Sequence, residues 1–263
     1  MTIPSTVNIV LDMKTPIEIG NSYKPKKLLP YTSNDKDVWD VLKLANPDPY
    51  NNTHIQLLYT GDSIKPGEAG HEYTSGWNRE HCWPKSLGGG MNTSSPGIGT
   101  DLHNLFCADQ SMNSTRSNKA YGVGIKSVID NSPAPKYDGI TDCKSDVGYF
   151  EPPDDVKGIV ARAVFYMACV YADVPYNLRL CRGQTPDGAN TMPNLDLLLE
   201  WNKNHTVTAS DRHRNKVIET YQGNNNPFVS DSTLANRVSW DTHGMHVHAD
   251  TYMPTPSLSF CAK

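Results

Sequence analysis

The sequence predicts a single α+β domain, on three observations. Short β-prone segments, 55–60 and 77–83, fall in the first half of the chain. Helix-periodic segments at 154–170, 195–202 and 210–222 fill the second half. No internal repeat or interdomain linker divides them, and strands followed by helices point to the α+β class.

Residues 1–28 are polar and punctuated by proline, and read as an irregular or weakly stranded extension to a domain over 29–263. A first helix is expected from Ser33, as N-cap, through Val38, Val41, Leu42 and Leu44 to a break at Pro47. The segment 77–83 should be the strand that delivers Glu80 and His81. Gly88, Gly89 and Gly90 open a loop that runs to Gly99. A helix is expected over 109–121, stopped by Gly122, and 122–153 reads as loops. Asp154 is the expected cap of an amphipathic helix on which Val156, Ile159, Val160, Ala163, Val164, Met167 and Val170 recur at helical spacing. Gly223 should end the helix over 210–222.

Hydrophobic residues at 37% and charged residues at 20% exclude a disordered or fibrous chain. The formal charge of -4 argues against a uniformly basic nucleic-acid module. Between 77 and 126, however, five basic residues face three acidic ones, so a local positive cleft is compatible with the acidic total. The 6 cysteines form no C-x-x-C pair, which excludes a zinc ribbon. Their even number allows three disulfides, with buried free thiols as the alternative. The N-terminus lacks the basic start and apolar core of a signal peptide, and no run approaches the roughly 20 apolar residues of a membrane helix. Sequons begin at Asn51, Asn92, Asn113 and Asn204, a pattern that arises easily by chance.

The chemistry concentrates in three clusters: Asn78-Arg79-Glu80-His81-Cys82-Trp83-Pro84-Lys85-Ser86, Asp101-Leu102-His103-Asn104-Leu105, and Asn113-Ser114-Thr115-Arg116-Ser117-Asn118. Phosphodiester hydrolysis needs an activated water, countercharge for the phosphate oxygens and help for the leaving oxygen. A neutral imidazole such as His81 is a competent base near neutral pH. The Glu80 carboxylate and the Asn113 carbonyl suit a hard cation such as Mg²⁺. On a helix, Asn113 and Arg116 share a face, whereas Asn118 falls about 140° from Asn113 and is read as local support. Adjacent residues on a regular strand point to opposite faces, so Glu80 and His81 can serve one site only if the strand is irregular or ends there. Pro84 makes an ending plausible.

These clusters, NREHCWPKS, DLHNL and NSTRSN in that order, resemble the endonuclease I family. Segments 161–168, 195–201 and 214–229 resemble its C-terminal half, so the likeness covers roughly 29–240. The resemblance implies a ββα-metal (His-Me finger) core surrounded by helices and long loops. It also implies a sequence-nonspecific, metal-dependent endonuclease acting on DNA, and alternatively RNA, with 5′-phosphate products. In that reading His81 is the general base and Glu80 and Asn113 hold the metal, Mg²⁺ or another divalent ion such as Mn²⁺ or Ca²⁺. Arg116 is the candidate for holding phosphate, because a guanidinium matches phosphate bidentately. Asp101 or His103 is left to orient His81, and Arg79 either touches substrate backbone or pairs with a surface carboxylate. The family also implies a secreted or periplasmic protein.

Two departures stand out. Phe106-Cys107 follows DLHNL where relatives often carry an Arg or polar residue and then Pro, and Cys82 replaces an aliphatic residue. A Cys82–Cys107 disulfide bracing the site is one reading of the pair. A catalytically weak relative that binds nucleic acid or metal is the alternative function. His243, His246 and His248 resemble a transition-metal chelate, although a polar tail is the simpler reading.

Overall fold

The longest apolar segment becomes the centre of the fold in the computed structural model, which describes residues 13–67, 76–132 and 139–241. Helix α4 (Asp154–Val170) is buried on nearly every side, so it is an interior helix rather than the amphipathic surface helix its spacing suggests. Pro153, not Asp154, is its N-cap, and Asp154 instead pairs with Lys157 at 2.7 Å within the first turn. Asp154 and Asp155 both sit where the helix dipole favours negative charge.

Other helices wrap this centre. Helix α1 (Pro16–Ser22) lies within the segment expected to be irregular. Its start is a capping box, in which Thr15 and Glu18 bond each other's backbone around Pro16. It packs so closely on α4 that a Cβ at Gly20 would lie 1.9 Å from the Cys169 carbonyl oxygen. Helix α2 (Val38–Ala45) begins four residues later than Ser33 would place it, because Asp37 supplies the cap to Asp40 N. Helix α3 (Gln110–Arg116) is considerably shorter than expected: Asp109 caps it and Ser117, at φ 54, breaks it. Helices α5 (Leu195–Asn204), α6 (Ala209–Gln222) and α7 (Pro227–Ser230) complete the set, with Gly223 ending α6 at φ 79.

Among the described residues the strands form four small sheets. β1 (Pro47–Asp48), β2 (Asn51–Gln56) and β3 (Ser63–Ile64) make an antiparallel meander. β4 (Trp77–His81) pairs antiparallel with β5 (Leu105–Asp109), in a register that sets Glu80 opposite Phe106 and His81 opposite Leu105. The stretch 122–153, expected to be loops, holds most of a mixed sheet in the order β6 (Ala120–Tyr121), β9 (Tyr149–Glu151), β8 (Ile140–Ser145), β7 (Lys126–Ile129). β10 (Arg179–Leu180) and β11 (Thr191–Met192) form a short parallel pair. Among the described residues no helix is long and apolar enough to cross a membrane.

The β4–β5 hairpin separates two apolar clusters, one around α4 and one around α2, Trp77 and Ile218. Cys82 belongs to the first and Cys107 to the second, so the sheet keeps their sulfurs apart and the disulfide does not form. Cys82, Cys107, Cys143, Cys169 and Cys181 are all free and buried. Burial pushes the thiols of Cys82 and Cys107 up to about 12, leaving them unreactive. Cys261 and the histidines 243, 246 and 248 lie outside the described residues.

A polar knot ties the loop before β5 to the helices. Asp101 accepts hydrogen bonds from the Tyr166 hydroxyl (2.9 Å), the Tyr171 hydroxyl (2.7 Å), the His103 backbone (2.9 Å) and the Gln222 amide (2.9 Å). The His103 ring packs against Tyr166 at 4.6 Å, tilted by 53°, and its Nε2 lies 3.2 Å from the Asn224 carbonyl. Burial lowers His103 from the usual 6.5 to about 4, against the pull of Asp101. The unfolded chain therefore binds an extra proton between those values, and stability falls as pH drops through that window. His103→Gln should remove the His103 share of this slope. The unfolding free energy from urea melts near neutrality and at about pH 4.5 should fall more in the parent than in the variant, by up to about 3 kcal/mol at ~1.4 kcal/mol per unit. Equal slopes would contradict this assignment.

Candidate functional site

The end of β4 is where the polar clusters of the sequence converge. The strand stops at His81, the last residue paired to β5. Beyond it Cys82 donates its backbone N–H to the Asn104 carbonyl (3.0 Å), and the Asn104 side chain accepts from Trp83 N (2.7 Å) and donates to Trp83 O (3.1 Å). Asn104 thus closes the strand end as a substitute for a ladder partner.

Glu80 and His81 leave the strand in opposite directions, as the pleat requires. The Glu80 carboxylate turns towards α3 and the mixed sheet. There its Oε1 accepts from the Tyr59 hydroxyl (2.7 Å) and Arg116 Nη1 (2.7 Å), and Tyr59 in turn meets the Tyr121 hydroxyl at 2.9 Å. His81 turns to the other side, where its Nε2 lies 2.8 Å from the Gly99 carbonyl oxygen and its ring stacks on Tyr31 at 5.8 Å. Because the strand ends here, both residues still open onto one cleft of about 480 Å³. Tyr31, Arg79, Lys85, Asn113, Arg116 and Asn118 share its walls.

Arg116 is only 1% exposed. Besides Glu80, its Nη1 donates to His81 O (2.7 Å) and its Nη2 to Cys82 O (2.6 Å), while the guanidinium lies 4.7 Å from the Tyr121 ring centre. Its donors therefore hold the end of β4 and the Glu80 carboxylate. Asn113 donates its amide nitrogen to Asn78 Oδ1 (2.6 Å), which leaves its own carbonyl oxygen as the acceptor that can meet a cation. Asn118 lies past the break at Ser117, so a continuous helical wheel does not describe it, and it lines the same cleft as Asn113. Arg79 is stacked between Tyr31 and Trp39 and donates to Tyr31 O and Thr32 Oγ1.

The imidazole of His81 is oriented by the Gly99 carbonyl rather than by Asp101 or His103, whose bonds go to the α4–α6 knot. A carbonyl only accepts, so Nε2 carries the proton and Nδ1 keeps a lone pair. Burial lowers His81 to about 4, aided by Lys85, Arg79 and Arg116 and opposed by the Gly99 bond, which leaves the ring neutral near pH 7. Burial also raises the Glu80 carboxyl above its ordinary value, with Arg116 and the Tyr59 hydroxyl pulling it back. The roles of Gly99, Tyr59 and Asn78 escaped the sequence reading, although Asn78 opens the first polar cluster, because each acts across 18 to 35 residues of chain.

The oxygen donors present suit a hard divalent ion. Glu80 and Asn113 contribute a carboxylate and an amide carbonyl, and no group of three or more His, Cys, Asp or Glu side chains among the described residues offers a soft or all-protein metal cage. Such a centre would take its remaining ligands from water and substrate.

A family model described as Endonuclease I matches residues 8–233. The chain is 37% identical over 208 residues to an extracellular ribonuclease of Bacillus amyloliquefaciens, covering 76% of this chain and 66% of that protein. The Bacillus subtilis (strain 168) extracellular ribonuclease is 37% identical over 209 residues, covering 77% and 67%. Endonuclease-1 of Buchnera aphidicola subsp. Baizongia pistaciae is 32% identical over 156 residues, covering 56% and 54%. This chain thus spans about two thirds of the length of the Bacillus proteins. With a family match running unbroken through β4, β5 and α3, the chain belongs to the endonuclease I family.

Proposed function

We propose that this chain is a sequence-nonspecific endonuclease that hydrolyses phosphodiester bonds at the end of β4, with His81 as general base. The observation that carries the reading is His81, its Nε2 at hydrogen-bond distance from the Gly99 carbonyl, opening onto the same cleft as Glu80 and Asn113. In this reading β4, β5 and α3 form the ββα-metal unit implied by the sequence, with Glu80 and Asn113 holding Mg²⁺ or another divalent ion such as Mn²⁺ or Ca²⁺. When bound, that ion supplies positive charge to the phosphate oxygens and to the departing 3′ oxygen.

The chain's own groups do the rest. Nδ1 of His81 takes the proton of the attacking water, and Nε2 stays anchored on Gly99 throughout. Arg116 acts on Glu80, keeping the carboxylate aimed and favouring its charged form, rather than clamping phosphate. Lys85 and the stacked Arg79 add positive charge to the cleft, which favours a polyanion although the whole chain is acidic. No feature of the cleft reads bases, so DNA and RNA are both proposed substrates, with 5′-phosphate products. The relatives named ribonuclease favour RNA and those named Endonuclease-1 leave the sugar open. Export from the cell is proposed from the Bacillus relatives named extracellular.

Nicking of supercoiled plasmid and cleavage of RNA should occur with Mg²⁺, stop with EDTA, and fall about 10²- to 10⁴-fold in His81→Ala. Cleavage surviving both changes would refute the assignment. Arg116→Gln should raise the Mg²⁺ concentration for half-maximal activity by about 10- to 100-fold, as loss of a ligand's supporting partner does. An unchanged metal requirement would leave Arg116 without the positioning role. Gly99 has no room for a side chain, since a Cβ there would lie 1.9 Å from the Asn92 carbonyl oxygen. Gly99→Ala should therefore shift the carbonyl off His81 and lower kcat about 100-fold with little change in KM. Normal kcat in this variant would show that the Gly99 contact does not matter.

A further inference from the structure

Trp77, Arg79 and His81 alternate along β4 and so share one face of the strand. Two side chains from elsewhere in the chain fill the gaps between them. Trp39, on α2, meets the edge of Trp77 at 4.6 Å and 89° and lies 4.0 Å from the Arg79 guanidinium carbon. Tyr31 follows: its ring centre is 3.2 Å from that same carbon and 5.8 Å from the His81 ring, whose plane is tilted from it by 26°. The result is a continuous chain of ring contacts, Trp77·Trp39·Arg79·Tyr31·His81, edge-on at its first step and stacked at its last, running from the α2 core to the imidazole. Its inner end is fixed, because Trp77 is wholly buried and its indole N–H donates to Pro66 O at 2.8 Å.

The Gly99 hydrogen bond holds one atom of the His81 ring and leaves the tilt of the ring about that anchor open. An aromatic face at this separation and angle limits the tilt, and the same ring also carries the Arg79 guanidinium. On the reading of His81 as general base, we propose that Tyr31 is a positioning residue that sets the plane of the His81 imidazole through this stack. The ring does the work, not the hydroxyl.

The test is a series at position 31 in the full chain. Tyr31→Leu and Tyr31→Met should lower kcat about tenfold or more with KM within about twofold, while Tyr31→Phe should keep kcat within about threefold of the parent. Thermal midpoints identify any variant that fails to fold, and Met, with its flexible volume, keeps a folded non-aromatic variant in the set. Proton NMR of the His81 ring supplies a readout independent of cleavage. The ring-proton shifts of His81 should move in Leu and Met and stay in Phe, because only an aromatic neighbour exerts a ring current. Parent-like kcat in both non-aromatic variants, or an equal loss in Phe, would overturn the proposal. An inactive parent whose His81 shifts still respond to Tyr31→Leu would refute the nuclease reading and leave the stack standing; unmoved shifts would refute the stack itself.

Discussion

Arg116 carries a full charge into a site where almost none of its surface reaches water, and it does so at the one point where β4 loses its ladder. The carbonyls of His81 and Cys82 lie at and beyond the last paired residue, and without a donor they would be buried and unsatisfied. One planar fork meets both and the Glu80 carboxylate together. Removing it would orphan two carbonyls and a buried carboxylate, a loss of about 3–5 kcal/mol for the charge alone. The irregular strand end that lets two consecutive residues serve one cleft exists because Arg116 and Asn104 satisfy its backbone.

The same constraint sets the electrostatics. Arg79, Lys85 and Arg116 gather around a histidine in a chain whose formal charge is -4. Their field and the burial of the ring both oppose a positive imidazole, which favours the neutral ring at neutral pH. Overall charge is therefore a poor guide to this cleft, whereas the local excess between 77 and 126 is a good one. Tyr59 and Tyr121 keep water from the back of Glu80, which makes its pairing with Arg116 matter more than a surface ion pair would.

What could be read from sequence divides along local and long-range lines. The helices at α4, α5 and α6 were legible because periodicity and stop signals are local, as at Gly223. The first and third polar clusters could be read as neighbours because β4, β5 and α3 pack on one another, whereas Asp101 and His103 of the second turn to the α4–α6 knot. Helix α1 was missed although its signal was present: Thr15, Pro16 and Glu18 form a capping box in a stretch read only for its prolines. The mixed sheet was missed because β7 and β8 do not bury a clean alternation, with Ile129 and Ile140 facing solvent. Asn118 was misjudged because nothing in the sequence announces a left-handed Ser117. Gly99, Tyr59 and Tyr31 were invisible because their roles exist only once distant segments meet.

The proposed chemistry requires a neutral His81 whose Nε2 is committed to a backbone carbonyl and whose Nδ1 is left to take a proton. ¹⁵N NMR of the protein labelled at histidine, recorded near pH 7 and assigned with His81→Ala, reads that state directly. The expected result is a protonated Nε2 and an unprotonated Nδ1 at His81. A ring protonated at Nδ1, or a positively charged ring at that pH, would contradict it.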